Sequence, residues 1–267
     1  PIFDALFENY DLAKNNDVAR VMQTMIDTLD AHALDKETEK LEGFYANVRL
    51  RVEGIDNAAG KQRVITELYE HFFSKAFPKE SESLGIVYTP VEVVDFVIAA
   101  ADHALRKHFG GLSITDKGVN VLDPFLGTGT FLVRLLQNGT IKPEDIERKF
   151  ASELHGNEIL LLAYYIAAVN IESTYFDALE ASTSYVGFGG IVLTDTFQMH
   201  ETDQRENLYF SPTNHERVKN QKSLKIKVII GNPPYSRQQK SENDQNQNQK
   251  YPELDKSIES TYAKFSS

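Results

Sequence analysis

Hydrophobic and polar positions follow two different patterns along the chain. Toward the N-terminus, apolar residues recur at helical spacing, as in the runs 21–29 and 64–73. A polar stretch at 79–83 then interrupts this pattern in the manner of a linker. We therefore expect a helical region over residues 1–84 and a second domain of different architecture over residues 85–267.

Short apolar segments alternate with longer helical patterns in the second part of the chain. Buried strands are predicted at 118–122, 152–157, 190–193 and 227–231. Helices are expected between the strands, over 130–137, 143–149 and 159–172. Strands that alternate with helices form a mostly parallel, doubly wound α/β sheet with right-handed crossovers.

A polar side chain lies at or just after the end of each predicted strand. These residues are Asp123, Glu158, Asp195 and Asn232. Because ligands in such sheets bind beyond the carboxyl ends of the strands, we expect the four side chains to converge on one edge.

Composition narrows the class of protein. Hydrophobic residues make up 41% and charged residues 25% of the chain, as in globular proteins. No apolar run approaches the roughly 20 residues of a membrane-spanning helix, and the N-terminus lacks the pattern of a signal peptide. Cysteine is absent, which excludes disulfides and thiolate metal sites. We expect a cytoplasmic protein without a membrane partner, and the first residue, Pro1 rather than Met, indicates a shortened chain.

Charge limits how this chain could contact nucleic acid. The formal net charge is -11, whereas phosphate contacts need clustered Lys and Arg. A function on DNA therefore requires a basic surface elsewhere. The 7 His residues form no spacing with carboxylates that indicates a metal site, so we expect no metal.

A glycine-bearing turn follows the first predicted strand, over 123–131. Gly127 and Gly129 allow backbone to approach a ligand closely, while Asp123 can face it. The turn lacks the third glycine of a dinucleotide site, where Leu132 stands, and no P-loop Lys follows it. A ligand without phosphates, such as S-adenosylmethionine, suits this turn. The alternative is a plain turn that packs a helix against a strand.

Glu158 follows the second predicted strand. A carboxylate at this position of a nucleoside-binding fold accepts hydrogen bonds from both ribose hydroxyls. The interval from Asp123 exceeds the roughly 20 residues of the dinucleotide fold, and the predicted helix at 143–149 accounts for the excess. The alternative is an exposed acid at a helix start, favoured by the helix dipole.

The sequence Asn-Pro-Pro-Tyr at 232–235 follows the fourth predicted strand. Pro233 and Pro234 lack N–H donors and extend the backbone, which leaves carbonyl oxygens free to accept. The Asn232 side-chain oxygen and the Pro233 carbonyl can then accept both hydrogens of an exocyclic amine. This favours the tetrahedral nitrogen that attacks a sulfonium methyl group. Tyr235 offers a flat face on which a flipped-out base stacks.

Together these segments resemble the S-adenosylmethionine-dependent amino-methyltransferases of DNA, gamma order. Asn rather than Ser at position 232 resembles the adenine-N6 branch of that family. In that family a Thr-Pro element precedes the glycine turn, and residues 88–96 match it here. The resemblance implies that this Thr-Pro element wraps the methionine end of the cofactor and that Asp195 contacts its adenine. The implied cofactor-binding residues are Tyr88, Thr89, Pro90, Asp123, Pro124, Phe125, Gly127, Gly129, Glu158 and Asp195. The implied catalytic residues are Asn232, Pro233, Pro234 and Tyr235.

More narrowly, the segments 157–159, 193–197 and 229–236 resemble the Type ISP restriction-modification enzymes. That resemblance implies a coupler-like region over 1–84 and the N-terminal part of a methyltransferase domain over 85–267. The family's sheet has about seven strands, so we expect this one to be incomplete toward its C-terminus. The implied partners are double-stranded DNA with a flipped adenine, and translocase, nuclease and target-recognition domains outside this chain.

Two other readings stay open at the level of sequence. Protein-glutamine and RNA amino-methyltransferases also use Asn-Pro-Pro-Tyr, because a side-chain amide or exocyclic amine presents similar N–H groups. They lack the Tyr-Thr-Pro element found here at 88–90. Alternatively, the chain is a non-catalytic coupling or binding fragment that retains the fold.

Overall fold

A computed structural model describes four ranges of the chain: 89–179, 186–201, 211–233 and 251–266. The helical region expected over 1–84 lies outside the described residues. So do Tyr88, Pro234 and Tyr235 of the candidate site.

The described residues form a parallel sheet of four strands, as the sequence predicts. In chain order the strands are β1 (Asn120–Asp123), β2 (Leu154–Glu158), β3 (Ile191–Leu193) and β4 (Ile226–Ile229). Their spatial order is β3-β2-β1-β4. Strands β2 and β3 thus lie on one side of β1, and β4 pairs with β1 on the other side. In open α/β sheets, ligands bind beyond the carboxyl ends of the strands at such a reversal of strand order, which here is the carboxyl end of β1.

Helices precede, connect and follow the strands. They are α1 (Val91–His108), α2 (Thr130–Gln137), α3 (Ile146–Arg148), α4 (Leu161–Ala178), α5 (Pro212–Ser223) and α6 (Pro252–Ile258). The predicted helix over 130–137 is confirmed, and the one expected over 159–172 starts two residues later and extends to Ala178. The helical segment predicted at 143–149 is present as a 3-10 turn, α3 and a π-helical turn over Lys149–Glu153.

Helix α5 was not predicted, because it has no apolar stripe from which periodicity could be read. A side-chain cap and a proline mark the start of this helix instead. The Ser211 hydroxyl accepts a hydrogen bond from the Asn214 N–H at 3.1 Å, and Pro212 occupies the first turn. The Asn214 side chain also bonds both the N–H and the C=O of Leu193, which holds α5 to the end of β3.

The core lies between the sheet and the helices α1, α2 and α4. Helix α4 buries residues around most of its circumference, including Tyr164, Ala167 and Ile171, as its uniformly apolar sequence predicts. Helix α1 contributes only the stripe that contains Val94 and Ile98. Burial of these side chains fixes the strand ends that bear the candidate site.

The segment between β1 and β2 is held by a buried lysine. The Lys149 ammonium donates hydrogen bonds to the carbonyls of Asp116 and Val119 and forms an ion pair with Glu153 at 2.8 Å. Burial lowers the pKa of Lys149, and these partners compensate a charge that would otherwise be costly to bury. The insertion therefore supports the start of β1.

Candidate cofactor and catalytic site

The glycine turn begins at Asp123, the last residue of β1, which is 1% exposed. Its Oδ1 atom accepts a hydrogen bond from the Phe125 N–H at 3.1 Å, so the turn folds back over the carboxylate. Leu126 donates to the Asn157 carbonyl on β2 at 2.9 Å. The turn thus bridges the ends of β1 and β2 before the chain enters α2.

Both candidate glycines of this turn require left-handed backbone. Gly127 has φ +54° and Gly129 has φ +86°, and Gly129 caps the N-terminus of α2. A Cβ atom at Gly127 would have no neighbour within 4 Å among the described residues, whereas at Gly129 it would lie 3.3 Å from Ala167 and Ile171 of α4. We expected both glycines to make room for a ligand. At Gly129 the protein itself also leaves little room for a side chain, because the N-terminus of α2 lies close to α4 there.

Glu158 closes the same turn from β2. Its Oε2 atom accepts from the Gly127 N–H at 2.8 Å, and its Oε1 atom accepts from the Leu160 N–H at 2.7 Å. The residue is buried, so the alternative of an exposed helix-start acid does not hold, although the bond to Leu160 does cap the approach to α4.

Two buried carboxylates are therefore neighbours at the ends of β1 and β2. Burial raises the pKa of Glu158 to about 7. Burial, with a further contribution from the charge of Glu158, raises the pKa of Asp123 to about 7. The Asp123 Oδ2 atom is buried without a hydrogen-bond partner among the described residues. This arrangement favours a cationic ligand or one rich in N–H and O–H donors.

The loop after β3 extends the same edge. Thr196 donates to the Pro124 carbonyl at 2.6 Å and accepts from the Asn157 side-chain amide at 3.1 Å. These contacts join the glycine turn to the third strand. Asp195, at the start of this loop, therefore lies on the same side of the sheet as Pro124.

Asp195 has partners on both carboxylate oxygens. Oδ1 accepts from the Phe197 N–H at 2.9 Å, and Oδ2 accepts from the Tyr251 hydroxyl at 2.7 Å. Burial and the bond to Asp195 raise the pKa of Tyr251 to about 12. The Tyr251 and Phe125 rings each lie 5.5 Å from the Phe197 ring, measured between centroids. An aromatic cluster thus adjoins the acid that is expected to contact adenine.

Sequence reasoning missed Tyr251 because it lies far along the chain from the β3 loop. A second contact holds the same segment: the Glu201 carboxylate accepts from the N–H groups of Glu253 and Leu254 at the start of α6. No local pattern predicts which acid caps this helix. The only sequence signal was an aromatic residue just before Pro252.

The fourth strand brings Asn232 to this edge. Gly231 precedes it, and a Cβ atom there would lie 2.6 Å from the Asp123 Oδ1 atom. The Asn232 side-chain nitrogen donates to the Thr89 hydroxyl at 3.1 Å, and Pro90, which follows Thr89, caps α1. The structure therefore joins the Thr-Pro element to the start of the Asn-Pro-Pro-Tyr sequence. Pro233 is exposed.

The charges at this edge distinguish between classes of ligand. Asp123, Glu158 and Asp195 present carboxylates, which repel phosphates and attract ammonium, sulfonium and hydroxyl groups. Among the described residues, no group of three or more His, Cys, Asp or Glu side chains is arranged to hold a metal ion. The chemistry of the site suits a phosphate-free nucleoside with a positive charge.

Comparison with known families agrees with this chemistry. Residues 60–265 match the model of N-6 DNA Methylase. The chain belongs to the N-6 DNA Methylase family. Residues 1–60 match the coupler domain of Type ISP restriction-modification enzymes. The two matches meet at residue 60, and the methylase match spans every residue of the candidate site.

Solved structures place this family member near the Type ISP enzymes. It is 47% identical to a nuclease-deletion mutant of LlaGI in complex with a DNA substrate mimic, with a TM-score of 0.84 over 99% of this chain and 21% of that one. It is 48% identical to the ATP-dependent Type ISP enzyme LlaBIII bound to DNA, with a TM-score of 0.84 over 97% of this chain and 18% of that one. The DrdV–DNA complex is 37% identical, with a TM-score of 0.86 over 98% of this chain and 25% of that one.

This chain thus spans a quarter or less of the length of these three relatives. A comparison with curated proteins finds no match. Across the part of the chain that the structure describes, no helix is long and apolar enough to cross a bilayer.

Proposed function

We propose that this chain provides the cofactor-binding and catalytic residues for adenine-N6 methylation of DNA, with S-adenosylmethionine as the methyl donor. The principal supporting observation is the position of Asn232. It lies three residues after the end of β4, its amide is bonded to Thr89 of the Thr-Pro element, and a Cβ atom at the preceding Gly231 would lie only 2.6 Å from Oδ1 of the buried Asp123. The residue that would meet the target amine is thus adjacent to the acids that would meet the cofactor.

The described residues fit this cofactor. Asp123 offers a buried carboxylate oxygen without a partner among the described residues, and Glu158 and Asp195 offer further acceptors. The cofactor carries ammonium, sulfonium, hydroxyl and amino groups and no phosphate, which matches an acidic edge without a phosphate signature. Under this proposal the cofactor is held by the residues Tyr88, Thr89, Pro90, Asp123, Pro124, Phe125, Gly127, Gly129, Glu158 and Asp195.

When bound, S-adenosylmethionine supplies an electrophilic methyl group on a sulfonium. The protein's part is to prepare the nucleophile. The Asn232 side-chain oxygen and the Pro233 carbonyl accept the two hydrogens of the adenine amine, which reduces conjugation of its lone pair with the ring. In this proposal Pro234, which lacks an N–H donor, restricts the backbone after Pro233, and Tyr235 provides the ring on which the flipped base would stack. Positioning of acceptors before the reaction lowers the barrier, because no reorganisation is then needed.

We propose that the chain acts as part of a longer bacterial restriction-modification enzyme, in the cytoplasm, on double-stranded DNA. In this arrangement residues 1–84 form a coupler, residues 85–267 form the N-terminal part of the methyltransferase domain, and translocase, nuclease and target-recognition domains lie elsewhere. The DNA complexes of LlaGI and LlaBIII support this proposal. So does the net charge of -11, because DNA binding then requires basic surfaces outside this chain.

The identity of the methylated product tests the proposal. The full-length parent enzyme is incubated with tritiated S-adenosylmethionine and DNA from a host without adenine methylation, and the digested nucleosides are separated and identified by mass. We expect label in N6-methyladenine. Label in N4-methylcytosine would contradict the assignment to the adenine branch. Methylation of RNA or protein glutamine with no labelled DNA would favour the rival amino-methyltransferases, and no transfer at all would favour a non-catalytic fragment.

A further inference from the structure

One contact links the two ends of the candidate site across 143 residues of sequence. The Asn232 Nδ2 atom donates a hydrogen bond to the Thr89 Oγ1 atom at 3.1 Å. Both residues are half-buried. Neither family resemblance nor strand pattern predicts this pair, because the resemblance assigns Thr89 to the cofactor and Asn232 to the target base.

Thr89 is held in place by the start of α1. The carbonyl of the next residue, Pro90, accepts from the Val93 and Val94 N–H groups at 3.0 and 3.1 Å. Helix α1 is in turn joined to α2 by the ion pair between Asp95 and Arg134 at 2.7 Å. Helix α2 begins directly after the glycine turn. The Thr89 hydroxyl therefore has a position defined relative to the turn that is expected to hold the cofactor.

The direction of this hydrogen bond determines what Asn232 can do. A carboxamide has a donor end and an acceptor end, and an exocyclic amine about to be methylated needs the acceptor end. In the structure the Thr89 hydroxyl accepts from Nδ2, and this orientation of the Asn232 amide leaves Oδ1 on the other branch, available to accept. The hydroxyl retains its own proton for another acceptor.

We propose that Thr89 is a positioning residue for methyl transfer, whose hydroxyl binds the Asn232 amide nitrogen and thereby directs the Asn232 side-chain oxygen toward the target amine. This proposal rests on the proposed function above. It assigns to the Thr-Pro element a role in the chemical step, beyond the cofactor contact that the family resemblance implies. Thr89 acts through Asn232.

The test uses the full-length parent enzyme with two substitutions at this position. Thr89→Val keeps the branched shape and removes the hydroxyl, and Thr89→Ser keeps the hydroxyl. The single-turnover rate of methyl transfer is measured at saturating cofactor, and the cofactor dissociation constant is measured separately by calorimetry. Thr213→Val, at an exposed position of α5, is the matched control for a Thr-to-Val change.

We expect Thr89→Val to lower the single-turnover rate roughly tenfold, as for the loss of one positioned hydrogen bond. Cofactor binding should weaken by less than this, because the other residues proposed to hold the cofactor are unchanged. Thr89→Ser should restore the rate to within about twofold of the unsubstituted enzyme, because its hydroxyl can accept from the same amide. A role only in stability would not separate the rate from the affinity in this way.

Three outcomes would overturn the proposal. The rate of Thr89→Val could equal that of the unsubstituted enzyme. The affinity for cofactor could fall as much as the rate, which would assign Thr89 to the cofactor alone. Thr89→Ser could be as slow as Thr89→Val, which would exclude the hydroxyl as the important group. If the unsubstituted parent transfers no methyl group to DNA, the proposed function fails as well, so the two failures are distinguishable.

Discussion

Glu158, at the end of β2, accepts a hydrogen bond from the backbone N–H of Gly127 at 2.8 Å, in the turn that follows β1. The bond joins the candidate ribose acid to the candidate glycine turn in the protein itself. It also accounts for a carboxylate that is buried and yet satisfied at both oxygens. Its near neighbour Asp123 has one oxygen without a partner among the described residues.

The contribution of Asp123 and Glu158 to the stability of the ligand-free protein should fall as the pH rises from about 4 to about 7. Buried His155, whose pKa is lowered to about 4, contributes in the opposite direction. The pKa of Asp123 and that of Glu158 are each raised to about 7, whereas unfolded carboxyl groups titrate near 4. The folded state therefore binds more protons in this interval. The stabilisation is complete below pH 4 and is lost as the pH rises through about 7.

Thermal unfolding at pH 5.5 and pH 8 measures this effect. We expect Glu158→Gln to reduce the pH dependence by an amount on the order of 2 kcal/mol, because an amide does not ionise. Glu144 is exposed, and Glu144→Gln is the matched control, which should leave the pH dependence of stability unchanged. An identical pH dependence in Glu158→Gln would contradict the assigned titration.

Replacement of Asn232 by alanine should abolish methyl transfer and leave cofactor affinity nearly intact. The substitution removes an acceptor for the target amine, and loss of one positioned polar group at a reacting centre costs about two to three orders of magnitude in rate. A tritiated-methyl assay measures the rate and calorimetry the affinity. Asn220→Ala, at an exposed position of α5, should retain both properties. Retained methylation in Asn232→Ala would refute the catalytic role.

Gly231→Ala should impair both cofactor binding and methyl transfer. Its Cβ atom would lie 2.6 Å from Asp123 Oδ1 and 3.3 Å from Pro124 Cδ, so either the acid or the start of the catalytic loop must move. Gly189→Ala is the matched control, since a Cβ atom there has no neighbour within 4 Å among the described residues. Equal activity of the two variants would show that the contact at Gly231 is relieved without consequence.

Gly129→Ala should destabilise the fold more than Gly139→Ala. Both glycines have positive φ, which costs an alanine about 1–2 kcal/mol, but only Gly129 also faces α4, at 3.3 Å. The additional overpacking should cost about 1–3 kcal/mol. Denaturant unfolding of the two variants separates the cost of the positive φ from the cost of overpacking. A larger loss of cofactor affinity than of stability in Gly129→Ala would instead support our expectation from the sequence, that this glycine makes room for a ligand.

Tyr251→Phe should weaken cofactor binding by up to about tenfold, the value of one hydrogen bond. Asp195 loses the partner of its Oδ2 atom in this variant and keeps the Phe197 N–H on Oδ1. Tyr262→Phe is the matched control, because Tyr262 is 81% exposed. Tighter binding in Tyr251→Phe would indicate that the tyrosine competes with the cofactor for Asp195.

The sequence by itself determined the sheet and the order of the polar strand ends. The segments at β1, β3 and β4 are short apolar runs bounded by turn residues, and the longer patterns at 3.6-residue spacing mark the helices between them, without tertiary information. The rule that ligands bind at carboxyl ends of parallel strands then placed Asp123, Glu158 and Asn232 on one edge. The hydrophobic pattern did not predict α5, because its polar sequence has no regularly spaced apolar residues.

Only the tertiary structure decided which of these groups touch. The packing of α1 against the core brings Thr89 to Asn232, and the crossing of α2 and α4 turns Gly129 toward protein. The return of the chain after residue 250 brings Tyr251 to Asp195. These pairs are distant in sequence, and their contact depends on where whole helices pack. Burial, which raises the pKa values of the two acids, is likewise a property of the assembled core rather than of any segment.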